Sequence, residues 1–254
     1  MSRVVAFNSL KGGVGKTTCT IFLAEHLQAL GKRLLLVDLD PQHSLTTYYV
    51  ARGFEPTPGK DVLTFMSRFR GSLRDVAITR EGLSVVPGTM RLAEVTTRPL
   101  WKWKRRHMVR RLQSIASMED YDYVLIDTAP TVSLLSLISL PVTQYMVLVT
   151  TPEVWAVRAI NLYLENLPGQ IARTGSRLTD VAVVTNSYDR TRKSEREVVA
   201  AMKETLPDYV VDPPIPFSKA VRNYVLQQKE RARFLEPVRE AVGQIATGVL
   251  GVSS

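Results

Sequence analysis

The run Lys11-Gly12-Gly13-Val14-Gly15-Lys16-Thr17-Thr18 decides the fold. It follows the apolar segment Val4-Val5-Ala6-Phe7 and opens a stretch of helical periodicity, Thr17–Leu30. Three glycines therefore stand where a strand hands over to a helix. Glycines there let the backbone curl until its N–H groups converge, and the helix N-terminus behind them adds partial positive charge. The pattern predicts a phosphate cradle formed by Gly12, Gly13, Val14, Gly15 and Thr18. Lys16 is expected to reach the β- and γ-phosphates, and the Thr17 hydroxyl to bind Mg2+. The strict pattern G-x-x-x-x-G-K-[ST] fails at its first glycine, where Leu10 stands. An additional lysine, Lys11, opens the loop instead.

Outward from this loop, apolar runs alternate with helical patterns. Candidate strands are Arg3–Asn8, Arg33–Leu39, Leu83–Val86, Tyr123–Asp127, Tyr145–Thr150 and Val181–Asn186. Several are continuously apolar, as strands covered on both faces are. Helical patterns at Thr17–Leu30, Glu153–Leu167 and Ser194–Leu206 lie between them, and Gly31 occupies a helix C-terminal position. The alternation predicts an α/β fold, a doubly wound, mostly parallel sheet with helices on both faces, and one domain over residues 1–254. Arg52–Lys60, with Gly53, Pro56, Pro58 and Gly59, reads as a surface loop. Because the chain starts directly on a strand, no helix-turn-helix module is expected before it.

Hydrophobic residues at 45% and charged residues at 22% of the 254 exclude wholesale disorder. The single cysteine, Cys19, excludes an intramolecular disulfide framework, and three scattered histidines lack metal-ligand spacing. A net charge of +9 favours a polyanionic partner, nucleic acid or an acidic membrane surface, between which composition does not choose. The most apolar stretch, Val132–Thr150, contains Pro141 and Gln144 and falls short of the roughly 20 residues of a membrane span. It reads as a helix followed by a buried strand, and a cytoplasmic location is expected.

Two apolar strands end in carboxylates. Leu34-Leu35-Leu36-Val37-Asp38-Leu39-Asp40-Pro41-Gln42 carries two, and Tyr123-Val124-Leu125-Ile126-Asp127-Thr128-Ala129-Pro130 carries one. Open parallel sheets bind ligands beyond the carboxyl ends of their strands, so both ends should face the loop. A carboxylate there can orient an attacking water or hold Mg2+ through water. The plain alternative is that the acids merely cap strand ends.

With its second lysine the loop resembles the deviant Walker-A motif of the ParA/MinD family of ATPases, and Asp38–Gln42 resembles that family's D-x-D-P-Q motif. The resemblance implies a P-loop NTPase fold, with ATP and Mg2+ as cofactors. It gives Asp40 the water-orienting role and makes Asp38 a neighbour of Mg2+ or the loop. It makes Asp127–Pro130 the segment that senses the γ-phosphate. It implies that Lys11 reaches the nucleotide of a second copy, so that two ATPs lie between two protomers, and that Gly12 is small because two backbones meet there. Asn186 takes the adenine position, although a strand-end turn asparagine explains it equally well.

The remaining signal is cationic. Arg98–Arg111 packs basic residues with two tryptophans and no acid. On a helix, Trp101, Met108 and Leu112 would face the core while Lys102, Arg105, Arg106 and Arg110 face out. That is either a nucleic-acid stripe or a solvated face. A second set is Arg190, Arg192, Lys193 and Arg196, diluted by Glu195 and Glu197. Ile215–Arg222 looks like the stretch where ParA proteins contact DNA, which points to Lys219 and Arg222. The expectation is therefore a nucleoid-associated partition or positioning ATPase. It would dimerise on ATP, bind double-stranded DNA non-specifically, and hydrolyse ATP slowly until stimulated by a ParB-like or cargo-adaptor protein. Two alternatives stand beside it. A MinD-like membrane-cycling ATPase would need a cationic amphipathic tail, whereas Ala241–Leu250 has no cation and no aromatic residue. A metabolic enzyme of the dethiobiotin synthetase type would need a second substrate pocket, for which no motif stands in the sequence.

Overall fold

The computed structural model describes residues 2–97, 100–130, 133–227, 236–248 and 250–251. Its centre is β1 (Arg3–Asn8), whose apolar residues lead into the glycine loop and then α1 (Lys16–Ala29). Parallel neighbours flank β1 on both sides, β5 (Tyr123–Thr128) and β6 (Tyr145–Thr150). Beyond β5 lie β2 (Leu34–Leu39), β4 (Leu83–Val86) and the edge strand β3 (Ile78–Arg80); beyond β6 lies β7 (Asp180–Thr185). The order is β3-β4-β2-β5-β1-β6-β7, all parallel except β3, which runs antiparallel to β4. The doubly wound sheet follows the sequence reading. The edge strand was not among the candidates, because three residues, half-buried or exposed, carry too little apolar pattern.

Alternate residues of the strands face two cores. Val5, Phe7, Leu34, Leu36 and Leu125 turn to a core shared with α1, α2 (Ser44–Val50), α9 (Lys219–Gln227) and α10 (Glu236–Gly248). Val4, Ala6, Leu35, Val37 and Ile126 turn to a core shared with α3 (Val62–Ser67), α4 (Leu92–Thr97), α5 (Leu100–Ala116) and α6 (Leu134–Ser139). At the β6–β7 end, α7 (Val154–Thr174) and α8 (Lys193–Thr205) pack on Leu148 and Val183. This two-sided burial explains why Leu34-Leu35-Leu36-Val37 shows no polar alternation: all four are fully buried.

One helix outruns its sequence signal. A proline at 168 suggests an end at Leu167, yet α7 continues to Thr174 and stops at Gly175, in the left-handed region at φ 65°. Leu167 and Ile171 pack against Leu140, Met146 and Val181 across the proline, and this burial offsets the lost backbone hydrogen bond.

The register sets the site. Phe7 and Asp38 both lie opposite Asp127, and Leu39 lies opposite Thr128. The ends of β1, β2 and β5 are therefore level, and the segments leaving them converge. Truncating this core should be costly: Leu36→Ala is expected to lose about 2–5 kcal/mol of unfolding free energy, read as a lowered urea midpoint with an unchanged m-value.

Candidate active site

The glycine loop curls through Gly13 at φ 77° and Gly15 at φ 88°, conformations that a side chain resists. Gly15 is also crowded, since a Cβ there would run into the Asn186 side-chain amide and displace it. That amide donates to the Val14 carbonyl at 2.7 Å and so braces the loop from β7. A second buttress is Thr128, whose Oγ1 lies 2.7 Å from both the Phe7 carbonyl oxygen and Asn8 Oδ1 and shares its one proton between them.

Below the loop, Asp127 is fully buried. Lys16 Nζ donates to one of its oxygens at 2.6 Å and Thr17 Oγ1 to the other at 2.6 Å. Asp40 Oδ2 stands 3.7 Å from the same ammonium. Burial pushes the Asp127 carboxyl above its ordinary range, while Lys16 and Thr17 pull it back. Lys16, Thr17, Asp40 and Asp127 thus meet as the spacing predicted. Asp40 is oriented through an Asx turn, its Oδ1 accepting the Gln42 N–H at 2.9 Å.

Asp38 does something the sequence did not suggest. Its Oδ1 accepts the Asp40 N–H at 3.1 Å, and its Oδ2 accepts the Thr46 N–H at 2.9 Å and the Thr46 hydroxyl at 2.7 Å. Thr46 Oγ1 in turn accepts the Gly88 N–H at 2.8 Å. Asp38 is thus a clamp that closes the β2–α2 turn and fixes the backbone carrying Asp40. Burial, with the Asp127 charge next in weight, pushes its carboxyl up to about 7.

The loop opens on a cleft of about 620 Å3 lined by Ser9, Gly12–Thr18, Asp40, Gln42 and Pro130. Ser9 Oγ is buried there without a hydrogen-bond partner. A neighbouring hollow of about 430 Å3 is bounded by Asn186, Pro216, Phe217 and Val221. Among the described residues no cluster of three or more His, Cys, Asp or Glu is placed to hold a metal alone. The donors fit Mg2+, which characteristically takes few protein ligands and keeps water and phosphate oxygens. Thr17 and Asp127 are the pair that would hold it.

Lys11 lies outside this cluster. It is 63% exposed, and its ammonium pairs with Glu153 at 2.7 Å at the start of α7. Glu153 also accepts from Thr151 Oγ1 at 3.0 Å. Val154 and Trp155, beside this pair, are 70% and 77% exposed.

The profile of the AAA domain family matches residues 2–179. The chromosome partitioning protein ParA of Caulobacter vibrioides is 28% identical over 95% of this chain and 94% of its own length. The chain belongs to the ParA/MinD family of ATPases. An uncharacterized relative from Mycobacterium tuberculosis, Rv1708, is 30% identical over 83% of this chain, which spans 66% of that relative's length. An ATP complex of McdA from Cyanothece shares the fold at TM-score 0.84, with 20% identity over 100% of this chain and 98% of that one. The family resemblance read from the loop is thus confirmed, as is the ATPase class.

The basic sets separate. On α5, Met108 and Leu112 are fully buried and Arg106 and Arg110 exposed, as expected, whereas Arg105 is only half exposed. Lys219 is exposed at the start of α9, on the opposite side of the sheet. The side chains of Trp101, Lys102 and Arg222 fall outside the described residues. Three of the second set are engaged within the chain: Arg192 pairs with Asp189 and Glu195, Lys193 with Glu197, and Arg196 donates to the carbonyls of Arg190 and Thr191. Sequence reasoning missed Thr46 and Glu153, because a lone threonine or a helix-start glutamate carries no motif; it placed Thr128 in the segment that senses the γ-phosphate but not as a buttress of β1.

The Asp38 clamp has a pH signature. Folding raises this carboxyl from 3.8 to about 7. Its contribution is therefore complete below pH 3.8 and is lost as pH rises through about 7. Wild-type melting temperature should fall between pH 6 and 8. Asp38→Asn should melt lower at pH 6, because an amide opposes one of the two backbone donors, and its pH slope over the same window should be flatter.

Proposed function

We propose that this chain is a nucleotide-switched positioning ATPase, which dimerises over ATP, holds DNA while dimeric and lets go on hydrolysis. The observation that supports it most is the meeting of Lys16, Thr17, Asp127 and Asp40 beneath one glycine loop. The named relatives include a chromosome partitioning protein, and the McdA structure contains ATP.

In this reading Lys16 leaves Asp127 to pair with the β- and γ-phosphates. Thr17 and Asp127 would hold Mg2+, which when bound would neutralise phosphate charge. Asp40, held by Asp38 and the Gln42 N–H, orients the attacking water against the γ-phosphate. Asn186 keeps the loop closed and borders the hollow that takes the adenine.

Two features support a second protomer facing the loop. Among the described residues a Cβ on Gly12 would meet only Pro130 Cβ, at 4.0 Å, so none of them demands glycine there; a partner's backbone would. Lys11 is held by an exposed ion pair, which contributes on the order of 0–1 kcal/mol. A triphosphate on an opposing protomer can outbid Glu153 for that ammonium. Val154 and Trp155, exposed next to it, supply apolar area for the same contact. DNA binding and release through a cargo-bound stimulating protein complete the cycle. Among the described residues no helix is long and apolar enough to cross a membrane.

Phosphate release without any metabolite should be slow but measurable, and Lys16→Ala should abolish nucleotide binding in a fluorescent-ATP titration. Lys11→Ala and Gly12→Val should bind ATP yet stay monomeric on size exclusion, where Asp40→Ala with ATP should elute as a dimer. A monomeric Asp40→Ala protein that binds ATP would refute the sandwich. Glu153→Gln should raise the ATP-dependent dimer fraction by less than about fivefold, the range an exposed pair permits.

A further inference from the structure

We propose that duplex DNA is gripped by one face of the protomer, built by α5 and the loop Arg68–Gly71, through Arg68, Arg70, Arg106 and Arg110. The inference rests on the DNA-binding reading above and assigns it a surface.

Helix α5 carries no acidic residue along its length. Met108, Leu112 and Ile115 are fully buried and set its inward side. Rotation by 100° per residue then puts Arg106 and Arg110 opposite the core and His107 and Arg111 on one flank. That flank fixes the loop. His107 Nε2 is 2.9 Å from the Arg68 carbonyl; Arg111 donates to the Phe65 carbonyl at 3.2 Å and the Gly71 carbonyl at 2.7 Å. The Arg111 guanidinium also lies over the Phe65 ring, 4.3 Å from its centroid. The loop so held presents Arg68, Phe69 and Arg70 to solvent, with Phe69 84% exposed and its ring 4.6 Å from that of His107.

Four guanidinium groups thus share a surface, and none of them forms an ion pair or side-chain hydrogen bond among the described residues. Nearby carboxylates are already committed: Asp75 accepts the Ser72 N–H and Asp120 pairs with Arg74. A set of exposed arginines without carboxylate partners is suited to an external anion. The forked donors match phosphate oxygens, and a duplex offers about one charge per 1.7 Å of axis. An acidic membrane fits less well, because the buried apolar side of α5 is spent on the core and, among the described residues of α5 and the Arg68–Gly71 loop, Phe69 is the large apolar side chain left to insert.

The test is retention of an arbitrary duplex, with ATP, over a range of salt. Arg106→Ala/Arg110→Ala and Arg68→Ala/Arg70→Ala should each weaken binding at least tenfold and lower the slope of log affinity against log salt by about 2, near 0.9 per lost contact. Lysine replacements at the same positions should keep most of the slope. All four variants should keep wild-type melting and DNA-free phosphate release. Wild-type affinity and slope in both alanine pairs, with binding lost in Lys219→Ala, would overturn the assignment and leave the DNA reading intact. No retention of the wild-type protein would remove the DNA reading itself. Sedimentation with phosphatidylserine vesicles that the alanine pairs lose, at unchanged DNA affinity, would transfer the face to a membrane.

Discussion

An uncompensated charge under the glycine loop would be ruinous, and most of the architecture serves to prevent one. Asp127 has no exposure to water, and Lys16 has little. Removing either partner of such a pair typically costs several kcal/mol, because the other is left charged and dry. Sheet register brings Asp127 level with the end of β1, and the curl at Gly13 and Gly15 delivers Lys16 and Thr17 onto its two oxygens. Sheet register and loop curl thus suffice to bring Asp127, Lys16 and Thr17 together. A phosphate that draws Lys16 away leaves Asp127 without its cation, and a Mg2+ held by Thr17 and Asp127 would restore that charge. Capture of the triphosphate and capture of the metal are thereby linked through one carboxylate.

The same economy connects this centre to more distant helices. Asp38 closes the turn that carries Asp40, and α2 begins inside that turn. Tyr48 of α2 and Tyr224 of α9 both donate to Glu25 of α1, at 2.5 and 2.9 Å. The Arg52 guanidinium lies over the Tyr48 ring, 3.4 Å from its centroid. Three helices leaving three parts of the site thus meet at one carboxylate. A shift of the Asp40 segment cannot leave α1 and α9 untouched, since a half-buried carboxylate that loses a hydroxyl donor must find another.

Much of this was legible in the sequence, for a physical reason. Phosphate binding demands glycine at fixed places beside a strand and a helix, so loop and fold share one signature. Continuous apolar runs such as Leu34–Val37 report a sheet covered on both faces. What escaped depends on tertiary context. β3 is too short to show a period, and α7 crosses Pro168 because Leu167 and Ile171 have a core to bury in. The Asp38 clamp looks like any strand-end aspartate until Thr46 and Gly88 come round to it. Basic runs are ambiguous in sequence because a cation's worth lies in what surrounds it. Arg192 and Lys193 are neutralised within a few residues, while Arg106 and Arg110 project from a helix with no acid.

In the proposed cycle, the placement of that helix bears on how nucleotide and DNA would communicate. α5 packs on the face of the sheet opposite α1 and α9, so the Tyr48–Glu25–Tyr224 relay does not run to it. Direct deformation of the α5 face by ATP is not required, however. If the face binds DNA weakly in one protomer, joining two protomers makes the second contact intramolecular, and affinity rises with no change in either surface. Linkage then runs both ways: whatever factor the dimer adds to DNA affinity, DNA returns to dimer stability. A rigid arginine face suits this arrangement better than a mobile one. Pinning by His107 and Arg111 lowers the ordering cost of the loop backbone that carries Arg68 and Arg70, while hydrolysis would need only to part the two chains for the bivalent advantage to vanish.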